Sequence, residues 1–371
     1  MKDRIYLDYA ASTPVDREVF KVATPYYTDV FYNPSSTHAM GQQASCVVER
    51  AREQCAAALG CLPSEIIFTS SGTEAINQAL CRTVFSQGKK HVVVSAIEHD
   101  STLECAKRLE RDGYDVEYVY PTSDGIITPP SLSAVLRRDT ALVCVMTVNN
   151  QVGTIQPIAE LSAMAHDCGA LFFSDGVQAV NSCDINVNKL GADMFALSGH
   201  KFYSTKGAGL LYVKTGVDVH PLVLGGGQEK ARRAGTVDVP AVVAMGAAIE
   251  RAVNYREFYV KHADAVCKKF LDTLEYGRAV SVGAPKVGDI VTVVFDGIDG
   301  GRLAVALSYS GVCCSVGSAC SAGSATPPQT LVAMGENASC AVRFSFGKPT
   351  TEEQAAAAAN IVNDVVARIK K

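Results

Sequence analysis

Met194-Phe195-Ala196-Leu197-Ser198-Gly199-His200-Lys201 is a short apolar run that ends in small polar residues, a histidine and a lysine. An uninterrupted apolar run of this length reads as a strand buried on both faces, the pattern of a parallel sheet covered by helices. A lysine at the end of such a strand is costly unless it is paired or made neutral. An imine with a carbonyl cofactor is one way to keep it. The competing reading is a lysine that turns out into solvent, the commoner fate of this residue.

The same grammar recurs upstream. Ile66-Ile67-Phe68, Val92-Val93-Val94, Val116 to Val119, Leu142 to Met146 and Leu171-Phe172-Phe173 read as buried strands. Helical patterns over 74–87, 101–112 and 158–168 lie between them. Strands alternating with helices predict an α/β fold with a mostly parallel sheet, whose ligands bind beyond the carboxyl ends of the strands. The texture changes after about residue 250. A long helix over 241–274, an exposed stretch at Gly283–Pro285, strands over 290–295 and 342–346 and a tail helix over 352–371 predict a smaller α+β domain. A length of 371 residues exceeds what one core usually serves, so two domains are expected. The expected boundaries are 15–250 for the large domain, with 1–14 and 251–371 forming the small one.

Several strand ends carry polar groups, and each has a bland reading beside a chemical one. Asp175 closes Phe172-Phe173-Ser174-Asp175 and can bond a protonated pyridine nitrogen, or merely cap a helix. Thr69-Ser70-Ser71-Gly72-Thr73-Glu74 follows an apolar strand and opens a helix; its free N–H groups suit an anion, or it is an ordinary cap. His99, in Glu98-His99-Asp100, can stack on a ring and move protons near neutrality, or sit on the surface. Gly225-Gly226-Gly227-Gln228, followed by Arg232-Arg233-Ala234-Gly235-Thr236, suits a phosphate or a plain loop. Arg343, inside Ala341 to Phe346, can grip a carboxylate or face solvent. Lysine, aspartate, phosphate turn and histidine all fall at the ends of successive apolar strands. That convergence favours a cofactor site over packing.

Cys320 lies in Val316-Gly317-Ser318-Ala319-Cys320-Ser321-Ala322-Gly323-Ser324, a small, uncharged stretch that predicts an exposed, mobile thiol. A free thiol with a pKa of about 8.5 is partly thiolate near neutrality. Competing readings are a redox pair with Cys313 or Cys314 and a metal site with Cys313, Cys314 and Cys340. Those spacings do not match a zinc pattern of two close pairs, so no metal is expected. Thirteen scattered cysteines in a long chain fit reduced thiols and a cytoplasmic setting rather than a disulfide scaffold. With 34 Lys and Arg against 38 Asp and Glu, and no basic run, direct nucleic-acid binding is not expected. No signal-peptide pattern and no apolar stretch of membrane-spanning length is present in the sequence.

These residues resemble the cysteine desulfurases of the NifS/IscS type, in the class V aminotransferase group of pyridoxal-phosphate enzymes. The resemblance runs nearly end to end. It takes in Tyr6 to Pro14, Asn33 to His38, the Thr73-Glu74 turn, Glu98-His99, Asn149 to Gly153, Asp175 to Gln178, Ser198 to Lys201, the triple glycine, Gly317 to Cys320 and Arg343. It implies a fold-type I transferase with a seven-stranded sheet in the large domain and pyridoxal 5'-phosphate as cofactor. It implies that Lys201 carries the cofactor and takes the substrate α-proton, that Asp175 pairs with the pyridine nitrogen, and that His99 stacks on the ring. Gln178 and Asn150 would contact ring oxygens. Gly72, Thr73, Ser198 and His200 would hold the phosphate, joined by Thr236 from the second subunit of a homodimer. Arg343 would bind the carboxylate of L-cysteine, with Asn33 and Asn150 nearby. Cys320 would take the sulfur, leaving alanine and a persulfide for an acceptor protein, either an iron–sulfur scaffold or a thiolation enzyme. Selenocysteine lyase and another class V activity are the alternatives. The chain departs from the family pattern at Gln151, usually Glu, at Ser204-Thr205-Lys206 and at Ala234, and it adds Cys313 and Cys314. The C-terminal extension by which some members dock a scaffold is expected to be missing.

Overall fold

The computed structural model describes residues 4–84, 88–317 and 327–371. Twelve strands are found among them: β1 Ile5–Tyr6, β2 Ile66–Thr69, β3 His91–Ser95, β4 Asp115–Val119, β5 Thr140–Cys144, β6 Leu171–Asp175, β7 Met194–Ser198, β8 Gly209–Val213, β9 Arg278–Ala279, β10 Ile290–Val294, β11 Val312–Cys313 and β12 Ala341–Ser345. Eight helices reach ten residues: α1 Ala39–Leu59, α2 Gly72–Thr83, α3 Asp100–Arg111, α4 Ile158–Asp167, α5 Val239–Asn254, α6 Arg256–Thr273, α7 Gly300–Ser310 and α8 Glu352–Ile369.

A seven-stranded sheet has the order β2-β8-β7-β6-β5-β3-β4. Every pair is parallel except those made by β8, which runs against both β2 and β7. The continuous apolar runs follow from burial on both faces. Phe195 and Leu197 of β7 pack with α1 and α5 on one side, and Met194 and Ala196 pack with α2 on the other. β4, at the edge, is partly exposed along most of its length. Gly176, just past β6, leaves room for the buried Phe195 ring; a Cβ there would lie 1.9 Å from its Cζ.

Two elements differ from the sequence expectation. The run Gly209-Leu210-Leu211-Tyr212-Val213 was not anticipated as a strand. It follows β7 after the ten residues 199–208, fewer than a crossover to a parallel strand takes, and it is the one reversed strand. The single helix expected over 241–274 is two. Tyr255 leaves helical geometry at φ −105 and ψ 11, and the chain changes partners there. α5 packs on α1, whereas α6 packs on α8.

The C-terminal part builds an antiparallel sheet, β12-β10-β9. Its core joins Phe270, Val291, Val293, Phe344 and Val362 to Leu7, while β1 pairs in parallel with β11. The N-terminal segment then crosses to the large sheet, where Ala10 joins the core containing α1 and α5. Among the described residues no helix is long and apolar enough to cross a membrane.

Candidate active site

The carboxyl ends of β2, β3, β6 and β7 meet the crossing segment Ala10–Ala11 around a cavity of about 150 Å³. Its walls include Gly72, Thr73, His99, Asn150, Asp175, Gln178, Ser198, His200, Lys201 and Arg343.

Lys201 ends a single tight turn, Gly199–Lys201, directly after β7. Its amine does not escape to solvent. Nζ donates to the carbonyls of Ala10 (2.6 Å) and Ala11 (2.9 Å). The backbone around it is fixed by Thr13, whose N–H and hydroxyl both donate to the His200 carbonyl and whose Oγ1 accepts from the Tyr203 N–H. Tyr203 has φ +68, a costly conformation for a bulky residue that persists only where surroundings enforce it.

Asp175 is 4% exposed at the end of β6. The Val177 N–H donates to its Oδ1 at 2.9 Å. Burial raises its pKa, opposed by that hydrogen bond and by the charges of His99 and Lys201. His99 caps α3: its Nδ1 accepts from the Ser101 N–H at 3.1 Å, which leaves the proton of the neutral ring on Nε2. The His200 ring is pushed down to about 4 by burial, then by Lys201 and Lys206, so it is neutral near pH 7 and acts as a hydrogen-bonding group rather than a cation.

α2 begins at the floor of the cavity. Ser71 caps it by accepting from the Glu74 N–H at 3.1 Å. The Gly72 and Thr73 amides, in the first turn, have no acceptor within the helix and border the cavity. A Cβ at Gly72 would sit 3.1 Å from both Ser198 Cβ and Val177 Cγ2, so a larger residue would crowd this cradle. Such an N-terminus attracts an anion.

Arg343 is 1% exposed rather than solvent-facing, because all five residues of β12 are buried. Its guanidinium donates to the Asn150 carbonyl at 2.8 Å and to Asp8 Oδ1 at 3.0 Å, and its Nε has no partner. Gln178 donates from Nε2 to the Ala10 carbonyl at 2.9 Å.

Two expected residues are not brought into this cavity within one chain. Thr236 and Asn33 are both exposed and lie outside its walls. Cys320 lies outside the described residues. Its described flanks, Gly317 and Pro327, both border a second groove of about 590 Å³, which shares His99 and Asn150 with the cavity. Among the described residues no cluster of His, Cys, Asp and Glu could hold a metal ion. Four contributors had no role in the sequence reading. The Ala10 and Ala11 carbonyls carry no side-chain signal. Asp8 and Glu98 lay inside quoted motifs but were given no role.

Comparison with known proteins follows the same outline. Residues 5–357 match the family described as Aminotransferase class-V. The cysteine desulfurase IscS of Dictyoglomus turgidum is 38% identical over 378 residues, covering 100% of this chain and 95% of that protein. The putative cysteine desulfurase IscS 1 of Bacillus subtilis is 39% identical over 377 residues, covering 99% of this chain and all of that protein. Among solved structures, a NifS-like protein matches with a TM-score of 0.92 at 33% identity, covering 98% of this chain and 100% of that one. SspA in complex with cysteine matches with a TM-score of 0.82 at 33% identity, covering 92% and 98%. The chain belongs to the class V aminotransferase family and, within it, to the cysteine desulfurases.

Proposed function

We propose that this protein removes sulfur from L-cysteine with pyridoxal 5'-phosphate, giving L-alanine and a persulfide on Cys320. The observation that carries the reading is one cavity in which a buried carboxylate, a lysine amine and a helix N-terminus converge. The residues fit the cofactor: free amides and a glycine cradle for a phosphate, Asp175 for a ring nitrogen, Lys201 for the carbonyl carbon. When bound, pyridoxal 5'-phosphate supplies a conjugated ring that draws electron density from the amino acid's α-carbon.

Gly72, Thr73, Ser198 and His200 hold the phosphate. With the cofactor bound, Asp175 would pair with the ring nitrogen, His99 would stack on the ring, and Gln178 and Asn150 would contact ring oxygens. Lys201 anchors the cofactor and takes the α-proton of the substrate. Arg343 binds the substrate carboxylate, with Asn150 beside it. The Cys320 thiolate attacks the substrate sulfur: an S–S bond forms, the Cβ–S bond breaks, the electron pair left on Cβ takes a proton, and Lys201 returns a proton to the α-carbon. Alanine leaves and the persulfide passes to a sulfur-acceptor protein.

We further infer a homodimer in which a second copy brings Thr236 and Asn33 to the site. Their exposure supports this, as do the exposed Phe20, Tyr27, Phe31 and Met40 in the segments flanking Asn33. The twelve described cysteines are all free thiols, which supports a reducing, cytoplasmic setting. The division into 15–250 and 1–14 with 251–371 is supported by Leu7 packing in the C-terminal core.

The direct test is incubation with L-cysteine, pyridoxal 5'-phosphate and a thiol reductant. Equal amounts of alanine and sulfide are expected, and no alanine would end the proposal. Arg343→Lys tests the carboxylate site. A forked, charge-assisted contact is worth about 1.5–3 kcal/mol, so KM for cysteine should rise about tenfold to a hundredfold. Cysteamine, which lacks the carboxylate, should be processed equally by both forms.

A further inference from the structure

Glu98 precedes the His99 cap, and no step above uses it. It is 4% exposed. Its Oε1 accepts from the Ser95 hydroxyl (2.5 Å) and the Met146 N–H (2.6 Å), which ties the turn after β3 to the segment after β5. Its Oε2 has no hydrogen-bond partner within bonding distance. Among the described residues no lysine, arginine or histidine forms an ion pair with it.

Asp175 shares the same buried region, and its charge acts on Glu98. Two carboxylates in one low-dielectric site cannot both ionise cheaply, so one keeps a proton. The cations decide which. Lys201 and His99 favour the charged form of Asp175, and nothing comparable favours that of Glu98. The Ser95 hydroxyl, the Met146 N–H and the nearby Thr102 hydroxyl favour the carboxylate, but burial outweighs them.

We propose that Glu98 is a positioning residue held as a neutral acid. It braces the turn that presents His99 without adding charge, so Asp175 is the single anion facing the cofactor. This rests on the cofactor site assigned above. The titratable groups around it are Asp175 on β6, Cys144 on β5 and His99 on its own turn. Cys144 is raised by burial and stays a thiol, so it adds no charge near neutrality.

Burial, then Asp175, push Glu98 up to about 8. In the unfolded chain a glutamate titrates near about 4.3. Its stabilising contribution is therefore complete below that pH and is lost as pH rises to about 8. Above that point a second anion beside Asp175 stabilises the ammonium form of Lys201 and depletes the amine that takes a proton.

Infrared spectroscopy of the cofactor-free protein tests the protonation directly. At pH 6.5 Glu98 and buried Asp289, the latter pushed to about 7, should both contribute carbonyl-stretch absorption of a protonated carboxylic acid, so Glu98→Gln should remove one component of the band and Asp289→Asn the other. Asp175→Asn should move the loss of the Glu98 band to lower pH, which keeps the test usable if Glu98→Gln folds poorly. In the loaded enzyme, the alkaline decline of kcat should shift to higher pH in Glu98→Gln. An unchanged band in Glu98→Gln, no shift in Asp175→Asn, or pH profiles of identical shape would overturn the proposal. Because the infrared readout needs no turnover, it stands apart from any failure to release sulfur.

Discussion

Lys201→Ala should yield a colourless protein that no longer retains pyridoxal 5'-phosphate and turns over cysteine at least about a thousandfold more slowly. The size follows from two duties on one amine, anchoring and proton transfer, and removing a group that acts within a catalytic unit costs close to the whole unit. The fold should survive. Lys201 lies against a cavity, and its loss forfeits two hydrogen bonds to Ala10 and Ala11, worth about 0.5–1.5 kcal/mol each for neutral pairs and more for a charged one. The Thr13 bonds that hold the turn involve backbone atoms of His200 and Tyr203 and remain. Absorbance spectra with added cofactor, beside an alanine assay, read both effects. If the variant stays yellow and active, another amine such as Lys206 is the anchor.

Cys320→Ser should separate colour from sulfur transfer. The variant should bind the cofactor normally and lose sulfide release by at least about a hundredfold, because a hydroxyl does not accept sulfur as a thiolate does. Two nearby thiols are poor substitutes. Cys314 is pushed up to about 12, chiefly by burial, then by Asp8, so almost none of it is thiolate near neutrality. Cys340 is buried beside β12. Titration of protein-bound sulfur after exposure to cysteine measures the effect, and undiminished release would remove Cys320 from its role.

The parallel sheet was legible because two-sided burial leaves an unmistakable record. β6 and β7 open on apolar runs, and their polar carboxyl ends, Asp175 and Ser198, mark the site. β8 was hidden because its run differs from a buried helix segment in nothing but length and neighbours. The break at Tyr255 was hidden because both halves keep helical periodicity, and only the change of packing partner separates α5 from α6. Within the site, Lys201, Asp175, His99 and the Ser71–Thr73 turn were readable as side-chain or backbone chemistry at strand ends. The Ala10 and Ala11 carbonyls were not, since a backbone acceptor looks alike in every residue. Arg343 was recognised, but its burial and its pairing with Asp8 depend on a contact between residues 335 positions apart. Asn33 was named by resemblance alone and Thr236 within a stretch that suits a phosphate, and a single chain leaves both away from the cavity.

The central claim is that sulfur leaves cysteine at the Lys201 cavity and lands on Cys320. Its most direct measurement is one turnover with equimolar L-cysteine and no reductant, followed by mass analysis of the peptide carrying residue 320 and quantification of alanine. The account predicts one alanine per site and a mass gain of one sulfur atom on that peptide. Alanine without added sulfur there, or sulfur on a different cysteine, would contradict it.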